Sequence, residues 1–264
     1  MKAVKTMKQL EGARKPTTKD KYVGVEIECI SPLCYTKMGK ELLKQDFKNH
    51  ITLKTDTSIE YSAAYNDLEK CICGKCCDCG DCNIWCERYK AGIEICVLAT
   101  QKEIKGIISK VCKFLKDKEC AVNDTCGLHV HLDMRHRQEK QSFNNLIKVQ
   151  DMLFKISPTR FDNSNCKMLE DDMTLDKALS LGWEYDRYTS VNARALEEHH
   201  TIEVRTHEGT IEAKDINNFI DFLVGVVDTN NIEKPISTVS ELKKNLKLSR
   251  KTQAYLLHKQ RRAA

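Results

Sequence analysis

The chain has 264 residues, of which 41% are hydrophobic and 31% are charged, with a formal net charge of +5. This length fits one large domain with an apolar core, and no apolar run approaches the roughly 20 residues of a membrane span, so we expect no membrane anchor. The basic first segment has no apolar stretch behind it, so we expect no secretory signal and a cytoplasmic protein.

The first predicted element is a strand over 21–30, because apolar residues alternate there with polar ones. Its polar face carries Glu26 and Glu28. Two carboxylates two residues apart on one strand face repel each other, so we expect a positive charge close by. A helix over 37–49 and one or two short strands over 51–63 follow, with Asp56 and Ser58 at a turn.

A cysteine-rich segment comes next, "CICGKCCDCGDC", which repeats the unit Cys-x-Cys-Gly-x-Cys. Pairs of cysteines two residues apart can present thiolates to one ion, and four such ligands suit a structural Zn²⁺. An iron–sulfur cluster and disulfides or free thiols are the alternatives. The candidate ligands are Cys71, Cys73, Cys76, Cys77, Cys79, Cys82 and Cys86. We interpret the dispersed cysteines as small core residues, namely Cys29, Cys34, Cys96, Cys112, Cys120, Cys126 and Cys166.

Three predicted strands after this segment carry chemically active side chains on their polar faces. The first, over 91–100, carries Glu94; the next, over 125–134, carries His129 and His131. The strand over 199–210 carries Glu203 and Arg205. The other predicted elements are a strand over 186–196 and helices over 101–118, about 138–156, 174–181, 212–230, 238–247 and 250–261.

Strands and helices mix along the chain without a regular βαβ rhythm, which predicts an α+β fold with an antiparallel or mixed sheet and helices on one face. We expect one body over 21–232, interrupted by a cysteine-rich insertion at 71–86. Basic residues are in excess within 1–20 and 233–264. We interpret these ends as a solvated tail and a helical extension; weak contact with nucleic acid or an acidic partner is the alternative.

Glutamate and histidine on the polar faces of neighbouring strands indicate a cation site. Mostly oxygen ligands favour Mg²⁺ or Mn²⁺ over Zn²⁺. An arginine beside such a site usually binds phosphate or carboxylate.

The motifs also resemble those of a known family. "GVEIE" (24–28), "DTSIE" (56–60), "GIEI" (92–95), "CGLHVHL" (126–132) and "RYTSVNARAL…HHTIEVRTHEGT" (187–210) occur in the order found in the amidoligase family, the carboxylate–amine ligases of the glutamine synthetase and glutamate–cysteine ligase superfamily. The resemblance covers about residues 22–230. It implies a curved, mostly antiparallel sheet of glutamine synthetase-like type with helices on its outer face. It also implies ATP, two or three divalent cations, and activation of a carboxylate as an acyl phosphate for attack by an amine.

The resemblance assigns roles to individual positions. It implies that the metal ligands are Glu26, Glu28, Glu94, His129 and Glu203. It places His131 and Arg187 near the nucleotide phosphates, and Arg205 on a substrate carboxylate or phosphate. Asp56 and Ser58 would shape the site. One departure is Thr201, which stands where glutamine synthetases have a basic residue.

Two other functions remain open from the residues alone. One is a zinc-binding module that contacts nucleic acid or protein, and the other is a metal-dependent hydrolase that needs no ATP. The chain has no Walker-type phosphate loop. The expectation of ATP, and of amino acids or peptides as carboxylate and amine substrates, therefore rests on the resemblance.

Overall fold

The computed structural model describes residues 19–33, 35–47, 50–56, 58–59, 92–180 and 188–263. Cys34, the cysteine-rich segment at 71–86 and Arg187 lie outside these ranges. Zinc binding by the segment and the role of Arg187 therefore stay predictions.

The described strands belong to one sheet, in the order β2-β3-β1-β4-β6-β5. Strand β2 is antiparallel to β3, and β5 is antiparallel to β6. This mixture of sheet and helices confirms the predicted class, whereas the glutamine synthetase-like type stays a prediction. The strands are β1 (Tyr22–Cys29), β2 (Ile51–Thr55), β3 (Ile93–Thr100), β4 (Gly127–Asp133), β5 (Val191–Asn192) and β6 (Thr201–Glu208).

Most of the helices lie close to the ranges that the sequence predicted. They are α1 (Tyr35–Leu43), α2 (Ile104–Asp117), α3 (Glu139–Lys148), α4 (Gln150–Ile156), α5 (Leu175–Ser180), α6 (Ala195–His199), α7 (Ala213–Val227), α8 (Val239–Asn245) and α9 (Arg250–Ala263), with a 3₁₀ turn at Pro158–Arg160. Within the described ranges, no helix combines the length and the apolar character that crossing a bilayer requires.

The chain divides into two compact units. The described part of the first lies within Val25–Gly127 and Gly209–Ala213, and it contains β2, β3, α1, α2 and most of β1. Helix α2 packs on β3 through its apolar stripe, so that Ile108 and Leu115 are fully buried together with Ile95. This packing fixes β3, and with it the polar side chains on the opposite face of that strand.

The described part of the second unit lies within Lys19–Gly24, Leu128–Glu208 and Lys214–Ala264. The apolar residues of β4 and β6 are buried in it, as their alternation predicts. The Asn145 amide of α3 is also fully buried, where it accepts from the Ile232 N–H at 2.9 Å and donates to the Val226 carbonyl at 3.2 Å. Helix α9 packs against α4, with Leu256 fully buried.

Three element predictions were wrong in extent. The long helix over 138–156 is two helices, α3 and α4, which meet at Val149 with φ −104° and ψ 5°. The helical spacing of apolar residues continues through both helices, so this spacing alone did not reveal the break between them. The helix expected over 37–49 ends at Leu43, where the chain turns.

The strand expected over 186–196 is confined to Val191–Asn192 within the described residues. The Asn192 side-chain oxygen accepts from the Arg194 N–H at 2.9 Å, which is an Asx turn that ends the strand and leads into α6.

Candidate functional site

Four carboxylates of the first unit come together beside β1 and β3; we call Glu26, Glu28, Asp56 and Glu94 the acidic group. One ligand oxygen from each of Glu28, Asp56 and Glu94 lies within 4.8 Å of the others. Glu28 and Glu94 are buried, although they lie on the polar faces of their strands. Charged carboxylates this close repel each other unless positive charge or hydrogen bonds offset the repulsion.

Backbone donors orient two of these carboxylates. The Gly127 N–H donates to Glu28 Oε2 at 2.5 Å. The N–H and the hydroxyl of Ser58 donate to Asp56 Oδ1 at 2.8 and 2.6 Å. Ser58 thus holds the Asp56 carboxylate in a turn, whereas its predicted site-shaping role stays a prediction.

Gly92 permits the close approach of that turn to the start of β3. Its carbonyl accepts from the Asp56 N–H at 3.2 Å. A Cβ at this position would lie 2.5 Å from Ile59 Cβ and 2.7 Å from the Asp56 carbonyl oxygen, so a larger residue would push the turn away.

Lys54 supplies the positive charge that the paired glutamates demand. It lies opposite Glu94 in the β2–β3 register, with its Nζ 2.8 Å from Glu94 Oε1 and 3.6 Å from Glu26 Oε1. Burial by itself would lower the pKa of Lys54, but the negative charges of Glu26 and Glu94 outweigh it and raise that pKa. Lys54 is therefore protonated at neutral pH.

Cys96 is not the core cysteine that its sequence context suggested. It is half-buried, and its thiol donates to Glu94 Oε1 at 2.8 Å. Burial and the adjacent carboxylates of Glu94 and Glu26 raise the pKa of the thiol well above its usual value. Cys96 is thus a neutral donor inside the acidic group, whereas Cys29, Cys112, Cys120, Cys126 and Cys166 are buried as predicted.

The second unit gathers the other predicted residues; we call His129, His131, Glu203 and Arg205 the His–Glu–Arg group. Glu203 Oε1 lies 3.5 Å from His129 Nδ1 and 3.9 Å from His131 Nε2. It also accepts from Arg205 Nη1 at 2.6 Å. One buried carboxylate oxygen of β6 therefore faces both imidazoles of β4 and the guanidinium of Arg205.

Two polar residues that the sequence interpretation did not assign to the site hold this group in place. Asn192 of β5 donates from Nδ2 to Glu203 Oε2 at 2.7 Å. Thr201 Oγ1 lies 3.1 Å from His131 Nδ1, so the position that departs from glutamine synthetases contacts a predicted site residue. Asn192 lies opposite Glu203 in the register of the sheet. Only this pairing of β5 with β6 identifies Asn192 as a residue that supports the group.

Each predicted site residue in the described ranges lies in one of these two groups, except Ser58, which supports Asp56. Their roles as metal ligands or phosphate contacts stay predictions. The pattern missed Lys54, although a lone lysine in the strand "ITLKT" was a usable signal once a positive charge was expected near Glu26 and Glu28.

One comparison with known protein families covers the last of the motifs, at 187–210. A family model described as "Putative amidoligase enzyme" matches residues 135–227, which include Glu203 and Arg205. The match covers less than half of the chain, and it shows that this part is similar to the amidoligase family. A comparison with curated proteins found no match.

Proposed function

We propose that the chain is an ATP- and Mg²⁺-dependent ligase that joins the carboxylate of one substrate to the amine of another, with amino acids or peptides as substrates. The observation that carries the proposal is the group of carboxylate oxygens from Glu28, Asp56 and Glu94 within 4.8 Å of one another, in a chain whose residues 135–227 match an amidoligase model.

The donor set of the acidic group fits Mg²⁺ or Mn²⁺. Glu28, Asp56 and Glu94 offer oxygens alone, and hard cations prefer such ligands. A second set, Glu26, Glu94 and Cys96, includes a sulfur, which suits a softer ion. Because the Cys96 thiol is neutral, we assign the Mg²⁺ to the first set and treat Cys96 as a hydrogen-bond donor to Glu94.

The His–Glu–Arg group suits the anionic part of the reaction. Arg205 donates from Nε to the Asn165 carbonyl at 3.1 Å and from Nη1 to Glu203, so its guanidinium is held in one orientation. A fixed guanidinium stabilises charge that spreads over phosphate or carboxylate oxygens without reorganisation. Bound ATP would supply the phosphoryl group that makes the carboxylate reactive toward the amine. The family resemblance implies that both groups serve this reaction.

The test is turnover of the purified full chain with MgATP, a panel of amino acids and small peptides, and candidate amines. We expect phosphate release that depends on the carboxylate substrate, with a product mass equal to the two substrates minus water. Glu28→Gln should lower the rate about 100-fold or more, because it removes a ligand charge from the acidic group. Glu233→Gln, at an exposed position, is the matched control and should keep the wild-type rate.

Other outcomes would assign a different function. Turnover of an amide substrate without ATP would identify a metal-dependent hydrolase. A salt-dependent shift of DNA or RNA that survives Glu28→Gln but disappears on zinc chelation would identify an interaction module.

A further inference from the structure

Arg160 carries a buried charge that the proposed function has not yet used. It closes the 3₁₀ turn Pro158–Arg160, and only 3% of its surface is exposed. Within the described ranges, no carboxylate lies at ion-pair distance from its guanidinium, and its Nε has no hydrogen-bond partner. A guanidinium taken out of water without an anion is destabilising, so such an arrangement indicates a ligand that arrives later.

The surroundings of Arg160 place it at the His–Glu–Arg group. Its Nη2 lies 3.5 Å from the carbonyl oxygen of Arg205. Both guanidinium groups act on Cys166, since Arg160 and Arg205 each favour its thiolate. The Asn165 carbonyl, one residue earlier, accepts from Arg205 Nε. The chain at 165–166 therefore lies against both arginines.

Neither of the two anionic candidates among the described residues beside Arg160 is an ion-pair partner for it. Glu203 forms an ion pair with Arg205 at 2.6 Å. Cys166 cannot serve as the anion for Arg160, because burial raises the pKa of its thiol to about 11. Among the described residues, the Arg160 guanidinium thus has no carboxylate partner, and it lies in a place that water reaches poorly.

We propose that Arg160 acts with Arg205 as an anion subsite that binds an oxyanion group of a substrate, either a carboxylate or a phosphate. The guanidinium is the side chain suited to this task, because its planar fork matches both groups in bidentate fashion. The role in substrate binding rests on the proposed ligase function, whereas the capacity to bind an oxyanion does not. Residues 135–227, which match the amidoligase model, include both arginines.

The test measures thermal unfolding of the full chain with inorganic phosphate, with L-glutamate as a carboxylate probe, and with chloride at equal ionic strength. Wild type should gain stability with one of the two oxyanions and not with chloride. Arg160→Met should be at least as stable as wild type without added anion, since it removes a buried unpaired charge, and its apparent affinity for the oxyanion should fall about 10- to 100-fold. Arg250→Met removes a charge from an exposed position of α9 and is the matched control.

Arg160→Lys keeps the charge without the planar fork and keeps the test informative if the methionine variant does not fold. It should bind phosphate, for which a point charge suffices, better than it binds L-glutamate. Stabilisation by phosphate alone assigns the subsite to a phosphate group, and stabilisation by L-glutamate alone assigns it to a substrate carboxylate.

The inference fails if neither anion stabilises wild type beyond chloride, or if Arg160→Met unfolds more easily yet keeps the full anion response. Such a variant would show that Arg160 is a structural support for Arg205. These results are separate from those for the ligase, because anion binding is measured without ATP, metal or turnover.

Discussion

Lys54 is a cation built into the acidic group. Its ammonium contacts Glu94 and Glu26, two of the carboxylates that the sequence resemblance assigns to metal. In the metal-free protein this contact offsets the repulsion between carboxylates. The same charge competes with any divalent cation that binds there, so Lys54 should lower the affinity for metal while it stabilises the apo protein.

Replacing Lys54 with methionine tests this balance. Without divalent cations, the variant should lose about 1 kcal/mol of unfolding free energy, a modest cost because the lysine is half exposed. With Mg²⁺ or Mn²⁺ it should regain more stability than wild type does. Thermal unfolding across a Mg²⁺ titration measures both effects, with Lys113→Met on the exposed face of α2 as the control. Equal responses in the variant and wild type would show that Lys54 does not compete for these carboxylates.

For single residues, the sequence predicted the strand face of a side chain better than the residues that it contacts. Alternation placed Glu26, Glu28 and Glu94 on polar strand faces, because side-chain direction in a strand is a local property. It could not select Lys54 or Asn192, because each meets its glutamate through pairing between strands far apart in sequence. Arg160 was missed for a related reason: burial of its guanidinium depends on how the turn packs.

At the scale of elements, β6 and α9 are joined by a buried imidazole. His207 Nε2 accepts from the Tyr255 hydroxyl at 2.9 Å, and its Nδ1 donates to the Glu208 carbonyl at 2.7 Å. Beside this link, Lys259 of α9 lies 2.6 Å from Glu208 and 3.5 Å from Asp215. Burial, followed by the charge of Lys259, lowers the pKa of His207 to about 4.

This lowered pKa predicts an acid-sensitive junction. The unfolded chain binds a proton on this imidazole near pH 6.5, whereas the folded protein does so only near pH 4. The unfolded state therefore holds more protons between these values, and the unfolding free energy should fall by about 2 kcal/mol as the pH drops from 6.5 to 4.5.

His207→Gln should have a lower unfolding free energy than wild type at pH 7. Between pH 6.5 and 4.5, however, its unfolding free energy should fall less than that of wild type. Chemical denaturation at each pH measures both differences. Glu208, Asp215 and Lys259 remain in both proteins, so the difference isolates the imidazole. His258→Gln, at an exposed position of α9, should show the same decrease of unfolding free energy with falling pH as wild type. If the unfolding free energy of His207→Gln also decreased as much as that of wild type, the imidazole would not be the group that titrates.

Elements with a regular spacing of apolar residues were predicted well. Elements whose ends are set by hydrogen bonds of a side chain were not. Strand β3 and helix α2 follow their apolar patterns closely. The end of β5 depends instead on the Asx turn at Asn192, which periodicity does not detect. The break at Val149 lies directly before Gln150. The buried side-chain amide of Gln150 donates to the Leu169 carbonyl and accepts from the Leu169 N–H. A single glutamine thus holds a distant loop in place.

At the scale of the whole molecule, the cysteine-rich segment is the main feature still to be tested. It is inserted between Asp56 and Glu94, two members of the acidic group. We expect purified protein to contain zinc, and Cys73→Ser with Cys76→Ser to lower the zinc content and the midpoint of thermal unfolding. Affinity of the acidic group for Mn²⁺ should change less. Elemental analysis, calorimetry and Mn²⁺ titration provide the three measurements.

Iron in place of zinc, with visible absorption, would identify an iron–sulfur cluster instead. Loss of Mn²⁺ binding in step with loss of zinc would show that the segment belongs to the site itself. Cys112→Ser, on the buried face of α2, is a control for cysteine loss, since it should leave the zinc content unchanged.

The hydrogen bond from the Gly127 N–H to Glu28 has a mutational consequence. A main-chain donor persists through every substitution at its position except proline, so no ordinary side-chain change at 127 can remove this anchor. The charge of Lys54, in contrast, is lost by a single codon change. The anchor of Glu28 therefore tolerates sequence drift at 127, whereas the charge balance of the acidic group is open to adjustment by one residue.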